Sequence, residues 1–181
     1  SLLGRTVQET RAAVDAAGQA PFINPQRIFV AGFGSGGAAA LHAAALDERI
    51  AGVISIAGFN PFRLDTADKG SGGIARWSHW LPLLPRLGAF VGQEARAPYD
   101  FHEVLAAIAP RPAVVMAPQF GWQCTPADVA EAAGAARKVY ELLSAEPNLA
   151  LLIYNDYDRL APPVQELFIA QLKAMLQMLD H

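Results

Sequence analysis

Six consecutive residues, Gly32-Phe33-Gly34-Ser35-Gly36-Gly37, constrain the fold of this chain more than any other feature. The run before them, Arg27 to Ala31, is short, β-branched and apolar, and reads as a buried strand. After them, Ala38 to Leu46 has the alanine and leucine content of a helix packed closely on a neighbour. A strand that turns through a few small residues directly into a helix opens a βαβ unit. Its second strand is Ile50 to Ala57, which follows once Asp47-Glu48-Arg49 has ended the helix.

The rest of the chain repeats this alternation. Arg5 to Ala17 places Val7, Ala13, Val14 and Ala17 on one helical stripe, and Gly18 is a fitting stop. A long connection over 58–98 is rich in Gly and Pro, yet Ile74 to Leu84 carries Trp77, Trp80, Leu81 and Leu84 at helical spacing, so part of it is expected to fold over the sheet and cover a pocket. Tyr99 to Ile108 reads as a short helix and Pro112 to Ala117 as a third strand. Thr125 to Leu143 reads as a long helix with Thr125 at N-cap and Pro126 at N1. Leu149 to Tyr154 is the fourth predicted strand, and Pro162 to Leu179 closes the chain as an amphipathic helix. Apolar strands alternating with helices predict an α/β fold with a mostly parallel sheet covered on both faces.

Composition narrows the function. Of 181 residues, 14 are basic and 17 acidic, and the Lys and Arg are scattered, so nucleic acid is not an expected partner. One cysteine, Cys124, forms no internal disulfide and, with no paired His, no structural zinc site; no metal and no cofactor are called for. No apolar run reaches the roughly 18 residues of a membrane span. The first residue is Ser1, so the compartment is not legible from the front of the chain.

The glycine cluster has two chemical readings. Gly32, Gly34 and Gly37 satisfy G-x-G-x-x-G, the dinucleotide fingerprint, but that pattern wants an acidic side chain about 20 residues on, where this chain has Ser55-Ile56-Ala57-Gly58 and no acid until Asp65. The second is the nucleophile elbow, G-x-S-x-G, in which small flanking residues allow a strained turn that lifts a nucleophile above the sheet.

From Arg27 through the glycines, and on through Ala44-Ala45-Leu46-Asp47-Glu48-Arg49-Ile50, Ile108-Ala109-Pro110-Arg111-Pro112, Ala136-Arg137-Lys138-Val139-Tyr140 and Pro162-Pro163, the chain resembles the α/β-hydrolase fold. The resemblance is to its acetyl-xylan-esterase-like and dienelactone-hydrolase-like serine hydrolases, and to their C-terminal part. It implies earlier strands upstream of Ser1, so that completing the sheet calls for a missing N-terminal half or self-association. It also implies a small-molecule or carbohydrate ester as ligand, and a bacterial, periplasmic or secreted setting.

In such esterases the order along the chain is nucleophile, acid, histidine. Aligned on Gly32 and Gly36, the resemblance puts Gly34 at the nucleophile, Gly121 at the acid and Arg159 at the histidine, so the ordinary triad is expected to be absent. A guanidinium stays protonated and cannot act as base. Of the four histidines only His181 follows the acid strand, and a terminal residue makes a poor base. Ser35 is expected to cap the helix; the alternative is a shifted nucleophile, partnered from elsewhere or by Asp158. Gly32, Gly34, Ser35 and Gly36 form the elbow, where the N–H groups of Ser35 and Gly36 suit an oxyanion.

Phe33, Trp122 and Asp158 are candidate pocket residues, Trp122 because loops after parallel strands build sites. Asp156 and Asp158 otherwise read as solvated turn carboxylates, and His102 beside Asp100 and Glu103 as a solvated or capping histidine rather than an acid-base group. Trp77, His79 and Trp80 read as a packing stripe before an aromatic wall, and Cys124 as a buried inert thiol. Three functions remain open: a divergent esterase relative without its triad, a working serine esterase using Ser35, and a dinucleotide-binding protein.

Overall fold

The computed structural model describes residues 1–178. The Ser1 hydroxyl accepts the Gly4 N–H at 3.1 Å and caps α1 (Leu2–Gly18), which turns Leu3, Val7 and Val14 into the core. Strand β1 (Ile28–Phe33) passes through Gly34 into α2 (Ser35–Leu46). Gly37, Ala38, Ala39, Ala40, Leu41, Ala43 and Ala44 are all buried, so α2 is enclosed nearly all round and shows no amphipathic stripe. Then come β2 (Ile50–Ile56), α3 (Phe101–Ala106), β3 (Ala113–Pro118), α4 (Pro126–Leu142), β4 (Leu149–Tyr154) and α5 (Pro162–Met178). The expected last residue of α5, Leu179, lies outside the described residues.

The sheet is parallel throughout, in the order β1-β2-β3-β4. Its side chains alternate between two cores, as a strand period of two requires. Val53, Ala113, Val115 and Ala117 join the larger core with α1, α2, α3 and α4, and Ile54, Ile56, Val114 and Met116 join the smaller core beneath α5. Phe33 pairs with Ile56, Ile56 with Met116 and Pro118 with Tyr154. β3 and β4 therefore run two residues beyond β1 and β2, and the loops that follow all four strands leave from one edge, where open parallel sheets build their sites.

The connection over 58–98 differs most from expectation. Instead of a helix over Ile74 to Leu84 it makes one π-helical turn, Arg76–Trp80, then 3-10 turns at Pro85–Phe90 and Glu94–Arg96. Proline explains the break: Leu81 (φ −123, ψ 74) and Leu84 (φ −134, ψ 72) precede Pro82 and Pro85, and a residue before proline is driven out of the helical region. Rings anchor the segment to the fold, with Phe59 stacked on Phe101 at 4.1 Å between centroids and Phe62 edge-on to Trp77 at 5.5 Å.

A polar knot at the start of α3 also holds it. Asp100 caps the helix and accepts N–H bonds from Phe62 (2.7 Å), Arg63 (2.9 Å) and Phe101 (2.7 Å), while Glu103 returns a bond to the Asp100 N–H. Because Asp100 is the cap, α3 begins later than Tyr99. No helix among the described residues is long and apolar enough to cross a membrane, and no described cluster of His, Cys, Asp and Glu could hold a metal ion.

Candidate functional site

The glycine turn is built from the inside outward. A Cβ on Gly32 would overlap the carbonyl of Gly36, and one on Gly37 would stand 2.8 Å from the Ser55 hydroxyl and 3.0 Å from the Gly58 Cα. Only glycine lets strand, turn and helix approach this closely. At the tip, Gly34 has φ 57 and ψ −129, a conformation that side-chain-bearing residues adopt only under strain. Its N–H donates to the Ile56 carbonyl at 2.9 Å, and its own carbonyl accepts from Gly37 (2.9 Å) and Ala38 (3.2 Å), which starts α2. A Cβ on Gly34 would meet nothing within 4 Å. The turn is thus tight inside and open at its tip, the shape of a nucleophile elbow, with glycine where the nucleophile would stand.

Ser35 does not cap α2. The N-cap is Gly34, with no side-chain bond, and Ser35 is the first helical residue, exposed, its hydroxyl without a hydrogen-bond partner. It borders a cavity of about 40 Å³ with Gly34, Ala57 and Gly58 from the ends of β1 and β2, and with Gln123 from the loop after β3. The 58–98 connection supplies the facing wall through Arg76, Trp77, Leu81 and Leu83.

Arg76 is the charged group of this wall and is only 6% exposed. One guanidinium nitrogen, Nη2, donates to the Gln123 carbonyl at 3.2 Å and lies 3.9 Å from Asp65 Oδ2; the other, Nη1, is buried with no partner. Burial draws its pKa below the usual arginine value, while the carboxylates of Asp65 and Asp158 oppose that shift, and the group stays charged. Asp65 is fully buried, its Oδ1 accepting from Ser71 and, at 3.2 Å, from Asn60. Sequence reasoning missed both residues as site components. The available signal was a lone arginine inside the apolar run Ile74 to Leu84.

The other positions expected to carry the triad are Gly121 and Arg159. A Cβ at Gly121 would lie 2.5 Å from Pro118 Cγ and 2.6 Å from the Cys124 carbonyl, so the loop leaves no room for a side chain there. Asp158 is no solvated turn residue: its Oδ2 accepts the N–H groups of Trp122 (2.9 Å) and Gln123 (3.4 Å), and its Oδ1 is buried without a partner. The carboxylate from the β4 loop ties down the β3 loop. Arg159 is two-thirds exposed, and its Nε sits 2.6 Å from Asp156 Oδ1. Asp156 also accepts the Tyr157 N–H, and these bonds hold its carboxyl below the usual pKa.

No described histidine lines the elbow cavity. His42 lies within α2 with Nδ1 on the Ala38 carbonyl (2.8 Å) and Nε2 on the Tyr99 hydroxyl (3.1 Å), and burial lowers its pKa. His79 Nδ1 meets the Ser78 hydroxyl at 2.7 Å, and His102 lies 3.9 Å from Glu103 while Asp100 does the capping. His181 and the Trp80 side chain lie outside what is described. Phe33 lines a different groove, with Phe168 and Ile169 of α5, and Trp122 is half exposed in the loop after β3. Trp77 packs on Phe62 and also faces the elbow cavity. Cys124 is fully buried, which pushes its thiol up to about 12.

The family model for fungal glucuronyl esterases matches residues 10–144. This chain belongs to the glucuronyl esterase family. The α/β-hydrolase esterase resemblance therefore holds at the level of fold, while the family within it is the glucuronyl esterases and not the acetyl-xylan-esterase-like or dienelactone-hydrolase-like group.

The fold agrees with solved structures. A glucuronoyl esterase of carbohydrate esterase family 15 from Caldicellulosiruptor kristjansonii is 23% identical with a TM-score of 0.81, over 94% of this chain and 49% of that one. A glucuronoyl esterase from Sporotrichum thermophile is 19% identical with a TM-score of 0.76, over 97% and 52%. The α/β hydrolase GrgF from Penicillium sp. sh18 is 19% identical with a TM-score of 0.64, over 97% and 72%. The chain thus spans about half the length of the glucuronoyl esterase structures it matches. No curated protein sequence matches. For a dinucleotide the glycine turn lacks the acid that would hold the ribose: β2 ends at Ile56, and the next acid is Asp65.

Proposed function

We propose that this domain binds a glucuronoyl-bearing carbohydrate, the group on which its relatives are named as esterases, and does not cleave it. The observation that carries the reading is Gly34: the strained backbone of an esterase elbow, at φ 57 and ψ −129, with no side chain to attack a carbonyl. Gly121 and Arg159 at the acid and base positions support it, since one has no room for a carboxylate side chain and the other is a solvent-exposed cation engaged by Asp156. Fold alone does not fix activity, and an elbow can outlive its chemistry. What remains usable is the N-terminus of α2, the cavity beside it and the wall that the 58–98 segment provides.

A second reading has one observation in its favour: the Ser35 hydroxyl is exposed, unbonded and at the cavity, so it could act as a displaced nucleophile. Among the described residues no histidine lines the cavity to serve as its base. The two readings separate by turnover of a benzyl ester of D-glucuronic acid and of an acetylated sugar. The non-hydrolytic reading expects rates at buffer background for wild type and Ser35→Ala alike. Turnover in wild type that disappears in Ser35→Ala would overturn it.

A further inference from the structure

We propose that the outer edge of β4 is a docking strand for a second copy of this chain, paired antiparallel about a two-fold axis at Leu151. This goes beyond the ligand reading and does not depend on what the elbow binds.

The strand offers backbone groups in a fixed alternation. The Tyr154 carbonyl accepts the Gln119 N–H at 2.7 Å, so Tyr154, and with it Leu152 and Ala150, turns its backbone groups toward β3. Leu149, Leu151 and Ile153 turn theirs outward, where no strand among the described residues pairs with β4. The Leu149 N–H is taken by the Glu146 carbonyl, which leaves the N–H groups of Leu151 and Ile153 as the outward donors.

An edge of this kind is ordinarily blunted by a charge, a proline or a bulge. β4 reads Leu-Ala-Leu-Leu-Ile-Tyr, has none of these, and keeps an unbroken register with β3 from Leu149 to Tyr154. β1, at the opposite edge of the sheet, has a register shift between Ile28 and Phe29 and a glycine at 32. Of the two edges, β4 is the regular and unprotected one.

The surroundings of β4 are self-complementary. With the axis at Leu151, each Leu151 exchanges two bonds with its counterpart, and each Ile153 N–H meets the Leu149 carbonyl of the second copy. All four outward donors then have acceptors. The same operation sets the chain that enters β4 against the chain that leaves it in the second copy. Leu142 (82% exposed) and Leu143 (48%) stand before β4, and Tyr157 (61%), packed on Phe120 at 5.4 Å between ring centroids, stands after it. Bare leucines of one copy therefore meet the bare aromatic pair of the other, twice over, as an isologous interface requires. The charges at the two ends are already matched, Arg137 with Glu146 and Arg159 with Asp156, so no block of like charge opposes the approach.

The test is analytical ultracentrifugation of the 181-residue chain over a range of concentrations, with amide hydrogen exchange read by NMR at both ends of that range. Wild type is expected to move from 19.3 kDa toward twice that mass. Its dissociation constant should be on the order of 10 μM, because an interface built on one strand is small. When about nine-tenths of the chain is paired, the Leu151 and Ile153 amides should exchange about ten-fold more slowly, while those of Ala150, Leu152 and Tyr154 stay as they are. Ile153→Pro removes an outward donor, leaves the ladder to β3 whole, and should be monomeric throughout. Ile153→Lys, at a half-exposed position, should be monomeric too and decides the matter if the proline variant does not fold. A single 19.3 kDa species at every concentration, a dimer unchanged in both variants, or slowed exchange in β1 instead of at Leu151 and Ile153 would overturn the proposal.

Discussion

Arg111 and Arg76 sit at opposite ends of one parallel sheet and are treated in opposite ways. Arg111, at the N-terminal ends of the strands, donates to the carbonyls of Ala44 (2.7 Å), Ile50 (2.7 Å) and Asp47 (3.0 Å), and its own carbonyl accepts from the Tyr140 hydroxyl at 3.1 Å. Arg76, at the C-terminal ends, has one bond to Gln123, a distant carboxylate and a nitrogen with no partner. Folding has used up the capacity of the first to tie helix end to strand start. It has left that of the second unspent, at the edge where sheets of this kind put their chemistry. The same contrast separates two buried carboxylates of the 58–100 stretch: Asp100 is enclosed by three N–H donors, while Asp65 keeps an oxygen unpaired.

The largest effect should come from Arg111→Ala. It strands three carbonyls and should cost roughly 3–5 kcal/mol, a fall in Tm of about 10 °C for a chain of this size, read by calorimetry. A loss comparable to that of an ordinary surface change would break the comparison.

Next in size are two glycines that look alike in the sequence. Gly32→Ala should cost roughly 3 kcal/mol or more, because the added carbon overlaps the Gly36 backbone. Gly34→Ala should cost only about 1–2 kcal/mol, for the positive φ alone. Equal losses in urea unfolding would mean the turn is not built as described.

Arg76→Lys, which keeps the charge facing Asp65 and loses the bond to Gln123, should cost about 1–2 kcal/mol, well under Arg111→Ala. A stability cost as large as that of Arg111 would make Arg76 a structural residue like its counterpart.

The smallest effect concerns pH. Burial holds His42 below its ordinary pKa, so the unfolded chain binds the proton first as pH falls. Stability is therefore complete above about pH 6.5 and declines below it toward the folded pKa, by at most about 1.4 kcal/mol per pH unit. His42→Gln should flatten the Tm profile between about pH 6.5 and 5. An unchanged profile would show that His42 is not the group responsible.

Much of the fold was legible because periodicity reports it directly. Leu149 to Tyr154 matches its predicted strand residue for residue, and Thr125 with Pro126 marks the start of α4 as expected. The failures are long-range or proline-driven. Ile74 to Leu84 carries a helical stripe, but Pro82 and Pro85 cut it into short turns. Asp158 looked like a turn carboxylate, and only its placement against Trp122 and Gln123, 36 and 35 residues earlier, reveals a buried oxygen. Arg76 and Asp65 become site residues through Gln123 and Gly34, which no local pattern connects to them. At Ser35 the expected helix cap is off by one position: Gly34 is the N-cap and Ser35 the first helical residue.

The most direct test of a glycine elbow is fluorophosphonate labelling, read by intact mass, of wild type and Ser35→Ala beside a serine esterase that reacts. The account predicts no adduct on either protein while the control is modified. An adduct on wild type that is lost in Ser35→Ala would contradict it, and would make Ser35 the nucleophile of a working esterase.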